Sequence, residues 1–114
     1  MKTALLTGLA VIWATAGFAH SPLEMTEPAD MAVVSEMPQD IKLDFKGDIR
    51  LTRVKLTHAT SETTDLDLDG FDGFISEYAI PVPAMGGGDY VVEWRGLGDD
   101  GHPLNGTFSF VVEE

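Results

Sequence analysis

The feature that most constrains this chain is an alternation of apolar and polar side chains with a period of two residues. Ile41, Leu43 and Phe45 alternate with Lys42, Asp44 and Lys46. Successive strand side chains point to opposite sides of a sheet, so this is the pattern of a strand buried on one face. The same beat recurs over Leu51 to His58, Phe74 to Ile80, Tyr90 to Arg95 and Thr107 to Val112. Turn formers bound the runs: Met37-Pro38, Gly47-Asp48, Asp69-Gly70, Gly86-Gly87-Gly88 and Gly98-Asp99-Asp100-Gly101. From residue 20 onward no stretch keeps a helical stripe for three turns. Short strands with a turn roughly every ten residues predict one all-β sandwich or barrel. Tyr90, Val92 and Trp94 would face inward from one strand, and Phe108, Phe110 and Val112 from another. Ala59 to Thr64 reads as a long polar connection.

The first nineteen residues do not share this pattern. Lys2 gives a short basic start, Ala4 to Trp13 is almost wholly apolar, and Ala14 to Ala19 is rich in small residues. This is the layout of a secretory signal peptide cleaved after Ala19, leaving residues 20–114 as a single exported domain. The apolar run stops at Ser21-Pro22, short of the roughly twenty residues a membrane-spanning helix needs, so no membrane insertion of the cleaved chain is expected. Removing Lys2 leaves six cations against nineteen carboxylates, a charge of −13, one more negative than the full chain's −12. Such a surface repels phosphate backbones, which makes nucleic acid a poor partner, and it concentrates cations. Cysteine is absent, which excludes disulfides, thiolate metal sites and a cysteine nucleophile but does not identify the compartment.

Three histidines remain to be placed: His20, His58 and His102. Cleavage after Ala19 makes His20 the terminal residue, whose free α-amine and imidazole Nδ1 can close a chelate ring on a metal. The amine titrates near pH 8, so a metal displaces its proton at little cost around neutrality. In Asp100-Gly101-His102-Pro103, side chains two apart lie on the same side of an extended segment, so Asp100 and His102 can converge on one ion. Two imidazoles, an amine and a carboxylate form an N/O set for which copper stands at the top of the divalent affinity order. Asp-Gly followed by a polar residue is also an ordinary turn. His58 shares strand parity with Val54 and Leu56 and reads as a partly buried strand-end residue. Asp65, Asp67 and Asp69 with Gly70 open like a calcium loop, but the twelfth place is Ser76 where a bidentate glutamate belongs. Leu66 and Leu68 alternate with these aspartates as on a strand with one wet face.

The chain resembles the CopC family of periplasmic copper-resistance proteins. The resemblance rests on His20-Ser21-Pro22-Leu23, Ile41-Lys42-Leu43-Asp44-Phe45, Tyr90-Val91-Val92-Glu93-Trp94-Arg95, Asp100-Gly101-His102-Pro103 and Gly106-Thr107-Phe108. It implies an all-β Greek-key β-sandwich, immunoglobulin-like or cupredoxin-like, of about seven strands. It further implies one Cu(II) per chain, held by His20 through amine and ring together with Asp100 and His102. The implied role is that of a monomeric periplasmic copper carrier or buffer in copper resistance, homeostasis or uptake. A copper-transporting inner-membrane protein or a recipient copper enzyme is the implied partner. The sequence departs from the family pattern in two places. Gly47 stands where some members have a glutamate ligand, with Asp48 beside it. Leu56 to Asp69, where some members hold Cu(I) in a methionine-rich loop, contains no methionine. Thioether is the soft donor that selects Cu(I), so a protein limited to Cu(II) is expected, with Met25, Met31, Met37 and Met85 used in packing.

No enzyme is expected. A terminal histidine with a second imidazole also resembles the copper site of oxidative polysaccharide-cleaving enzymes, but Asp100 would add charge and occupy the space such a site leaves open. Two other readings compete: a calcium-dependent extracellular module using Asp65, Asp67 and Asp69, and a metal-free immunoglobulin-like interaction domain.

Overall fold

A computed structural model describes residues 22–59 and 62–114; the proposed signal peptide lies outside them. Seven strands are formed: β1 Leu23–Glu27, β2 Ala32–Val34, β3 Asp40–His58, β4 Glu62–Asp65, β5 Ile75–Pro81, β6 Gly88–Gly98 and β7 Pro103–Val112. The main path is β1-β3-β6-β7-β2, with β4 and β5 also pairing with β3. Every pairing is antiparallel except β2 with β7.

Strand β3 organises the fold. Its first part, Asp40 to Phe45, lies between β1 and β5, and its second part, from Ile49, pairs with β6 and then β4. The two runs that the sequence separates at Gly47-Asp48 are therefore one strand of 19 residues. What reads as a turn is the crossing between two layers, where Lys46, Gly47 and Asp48 are all exposed and the pairing with β5 slips. Strands that change layers do so at bends and bulges of this kind. Tyr78 from β5 secures the far side of the crossing: its hydroxyl donates to the Ile49 carbonyl at 2.5 Å and accepts from the Leu51 amide at 3.2 Å.

A second irregularity resets the strand's parity. Leu51 pairs with Gly96 and Arg53 with Arg95, so Thr52 is an extra residue in β3. Inward positions accordingly change from odd (Ile41, Leu43, Phe45, Ile49, Leu51) to even (Val54, Leu56), all buried. Trp94 meets Phe45 edge-on at 5.1 Å, and Tyr90 stacks on Phe110 at 5.2 Å. Complete burial of side chains this size contributes roughly 1.5–3 kcal/mol each.

Three smaller expectations are corrected. The polar connection Ala59 to Thr64 contains the start of β4, whose Thr63 hydroxyl bonds that of Thr57 across the pair. Phe74 is exposed just ahead of β5. The strand ending at Arg95 continues to Gly98 because Gly96 and Leu97 still pair with Leu104 and Pro103.

Candidate metal centre

The turn between β6 and β7 brings Asp100 and His102 together. Asp100 Oδ2 lies 2.9 Å from His102 Nδ1, and Asp100 Oδ1 accepts the His102 amide at 3.1 Å. The convergence expected from sequence is present, but its cause is different. The segment is a tight turn closed by Gly101 N to Gly98 O and Gly98 N to His102 O, both 2.9 Å. Gly101 has φ of 86°, a left-handed conformation that glycine adopts without a steric penalty. Both side chains are exposed, His102 at 78% and Asp100 at 64%, so an ion can reach them from solvent. The backbone hydrogen bond from His102, followed by the one from its ring, holds the Asp100 carboxyl below the usual carboxylate range. Asp100 is thus an anion at neutral pH.

Register determines what lies near this turn. β5 and β6 both pair with Ile49, so they occupy opposite edges of β3; β5 and β1 both pair with Asp44, so they do too. Strands β1 and β6 therefore follow one another along the same edge. Pro22, immediately ahead of β1, accepts the Lys46 amide at 2.8 Å, and Gly98, which ends β6, pairs at Ile49. Their β3 partners are three residues apart, roughly 10 Å at strand rise. The amino-terminal end of β1 thus points along β3 at the Gly98–His102 turn. His20 itself lies outside the described residues.

The other flagged residues are accounted for elsewhere. His58 ends β3 opposite Tyr90, at the other end of β6. Its ring stacks on Tyr90 at 4.5 Å, its Nε2 lies 2.8 Å from the Gly87 carbonyl, and its side chain is only 16% exposed. That matches the expected strand-end packing role. Asp65 accepts from Arg53 Nε at 3.0 Å and from Nη2 at 3.4 Å, and Asp67 Oδ1 accepts the Asp69 amide at 2.8 Å. Leu66 is buried and Leu68 packs against the core, although both lie past the end of β4. Among the described residues no group of three or more His, Asp or Glu gathers as a metal site. Asp48 is exposed at the β3 crossing, beside Ile49. The approach of β1 to the turn is the feature sequence reasoning missed, since Leu23–Glu27 has only Thr26 fully buried and so no alternation to read.

Known proteins share this fold. A family profile described as the CopC domain matches residues 23–113. Copper resistance protein C of Escherichia coli is 29% identical over 98% of this chain and 96% of its own length. The crystal structure of CopC from Methylosinus trichosporium OB3b superposes with a TM-score of 0.69 at 25% identity, covering 82% of this chain and 94% of that one. PcoC, a methionine-rich copper resistance protein from Escherichia coli, gives 0.57 at 27% identity over 82% of this chain and 99% of its own. These solved relatives are β-sandwiches. With the profile spanning nearly all of the described chain, the protein belongs to the CopC domain family.

Proposed function

We propose that this chain is exported to the periplasm, cleaved after Ala19, and there carries or buffers one Cu(II) ion held by the amine and ring of His20, by Asp100 and by His102. The observation that carries the reading is the shared edge of β3: Pro22, just ahead of β1, bonds Lys46, three β3 residues from Ile49, where β6 enters the Asp100–His102 turn. His20 lies two positions ahead of Pro22, a backbone reach of up to ~7 Å that the length of the imidazole side chain extends toward the roughly 10 Å the register leaves. The turn supplies an ionised carboxylate and an imidazole already in contact with each other, so two donors are gathered before the metal arrives. The kinship with proteins named for copper resistance supports copper as the cargo. An N/O donor set of this kind suits Cu(II), and the described chain offers no methionine cluster between Leu56 and Asp69 to add a Cu(I) site. Copper passes to or from an inner-membrane transporter or a recipient copper enzyme, and no catalysis is assigned.

Copper titration of the cleaved protein, followed by paramagnetic resonance, tests this. One Cu(II) per chain with nitrogen and oxygen ligation is expected. His102→Ala should remove one imidazole nitrogen from the spectrum, and Asp100→Ala should weaken binding less. Unchanged affinity in both variants would remove the turn from the site.

A further inference from the structure

Strand β7 is covered along only part of one edge. β6 pairs with its whole length on one side, but on the other β2 reaches only Phe110–Val112. The chain leading into β2 completes one residue more: the Met31 amide donates to the Ser109 carbonyl at 2.6 Å, and Asp30 Oδ1 accepts the Ser109 amide at 3.0 Å. Backbone groups two residues apart on a strand point to the same edge. Those of Thr107 therefore face the same way as those of Ser109, and no described strand lies beyond them. An edge left in this state is a template for another extended chain.

This edge opens into a groove of about 400 Å³ between β7 and β1. Leu23–Thr26 of β1 form one wall, Thr107 and Phe108 the other, and Asp30 stands at the Ser109 end. Among the described residues β1 pairs with β3 alone, so no strand fills the groove from that side either. Leu23, Met25 and Phe108 make the lining apolar. Met25, and Met31 next to Asp30, are two of the four exposed large apolar side chains among the described residues. Grouped exposed apolar side chains mark contact surfaces, and methionine repacks readily against whatever lies on it.

Charge narrows the occupant. The lining holds two carboxylates, Glu24 and Asp30, and no cation, and among the described residues neither carboxylate is in an ion pair. A second copy would bring the same two carboxylates and an equally acidic surface against them, and an anionic lipid surface would be repelled in the same way. An extended chain that alternates basic and apolar side chains meets both demands, because its two faces carry the two kinds of residue separately.

We propose that this groove takes an extended segment of a partner protein, in which basic residues alternate with apolar ones, as an added strand on the Thr107 edge of β7. Its apolar side chains lie against Leu23, Met25 and Phe108, and its cations against Glu24 and Asp30. Where the copper reading holds, the partner is thereby seated on the strand that leads back to His20.

The probe is a blocked hexapeptide alternating lysine and valine, titrated into the copper-free cleaved protein and followed by amide NMR. The expected result is a shift of the Glu24, Met25, Asp30 and Thr107 amides, with slowed hydrogen exchange at Thr107. The glutamate-valine counterpart should give no response, and the lysine-serine one, which lacks an apolar face, should bind roughly tenfold more weakly. Glu24→Lys should lower affinity for the lysine-valine peptide by roughly tenfold, since it turns an attraction into a repulsion. Glu24 is exposed and lies in the β1 bulge without a β3 partner, so the fold is retained, and an unchanged melting temperature checks this. Glu77→Lys makes the same change in charge on β5, at the other edge of β3, and should lower affinity less than twofold. Equal effects of the two variants, equal binding of the lysine-serine peptide, or shifts located elsewhere would overturn the proposal. So would concentration-dependent sedimentation of the protein alone that Glu24→Lys alters, which means a second copy occupies the groove. Partition onto zwitterionic lipid vesicles that Met25→Ser abolishes would overturn it too, because a lipid surface then covers the patch. No copper is present in this titration, so its failure leaves the metal assignment intact, and absence of copper binding leaves this result standing.

Discussion

Gly106 lies directly opposite Trp94 in the β6–β7 register, and the indole occupies the space that a side chain at 106 would need. A Cβ there would sit 2.7 Å from Nε1 and 2.9 Å from two ring carbons. The ring is locked against Phe45 in the core and cannot withdraw. Gly106→Ala should therefore cost about 1–3 kcal/mol, as overpacking usually does, and lower Tm by roughly 4–8 °C for each kcal/mol. A thermal melt at parental Tm would show that β7 can shift freely, and with it that the β6–β7 hairpin is less rigid than its packing implies.

How far this architecture was legible depended on alternation. Where one face is buried and the other wet, as at Ile41 to Phe45 or Tyr90 to Trp94, the period of two is written in side-chain polarity and the inward residues follow. The structure departs from the sequence reading where backbone events interrupt the period. The bulge at Thr52 moves inward parity from Leu51 to Val54, and a layer crossing at Gly47-Asp48 looks like a turn because both require polar, flexible residues. The Asp100–His102 pairing was legible from spacing, although a turn and not an extended segment produces it. The approach of β1 was not, because it depends on which edge of β3 each strand takes, a relation between residues far apart in sequence.

Burial of Tyr90 makes an alkaline prediction. Its hydroxyl donates to the Gly86 carbonyl, and its pKa lies above the ordinary phenol value, chiefly because burial penalises the phenolate, with Glu114 and Glu62 adding repulsion. A folded-state pKa above the unfolded one contributes stability that is complete below about pH 10 and is lost as pH rises through the folded value. Unfolding free energy measured by urea titration should fall above pH 10. The decline should be shallower in Tyr90→Phe, and an identical slope in the two proteins would exclude Tyr90 as its source.

Calcium should act on this protein no differently from any other counter-ion. Asp65 is committed to Arg53 and Asp67 to the Asp69 amide, and both aspartates are exposed. Asp67→Asn should leave Tm nearly unchanged with or without millimolar calcium. A calcium-dependent rise in Tm that disappears in this variant would instead establish a calcium loop.

His58 contributes packing at the opposite end of the sheet from the Asp100–His102 turn, where its ring joins β3 to Gly87 and covers Tyr90. His58→Ala should lower Tm while leaving Cu(II) stoichiometry and affinity unchanged. Reduction with ascorbate should transfer most of the copper to a competing Cu(I) chelator in parent and variant alike. Retention of Cu(I) by the parent and its loss in the variant would assign a second, Cu(I)-binding role to this residue.

The terminal position of His20 can be separated from its imidazole. Placing one alanine ahead of His20 converts the α-amine into an amide, a poor donor unless deprotonated, and leaves the ring untouched. If amine and ring close one chelate, the variant loses a covalently linked donor. Linkage of donors commonly contributes ~10² to 10⁴ in affinity, so Cu(II) binding should weaken by roughly a hundredfold or more. The fold should be indifferent, because an added residue ahead of the β1 edge disturbs none of the pairings that begin at Pro22 and Leu23. The measurement is a competition titration of the two proteins, with both termini verified by mass spectrometry and both Tm values compared. Equal affinities would reduce His20 to an ordinary imidazole ligand at most, and the alignment of β1 with the Asp100–His102 turn along β3 would then need another explanation.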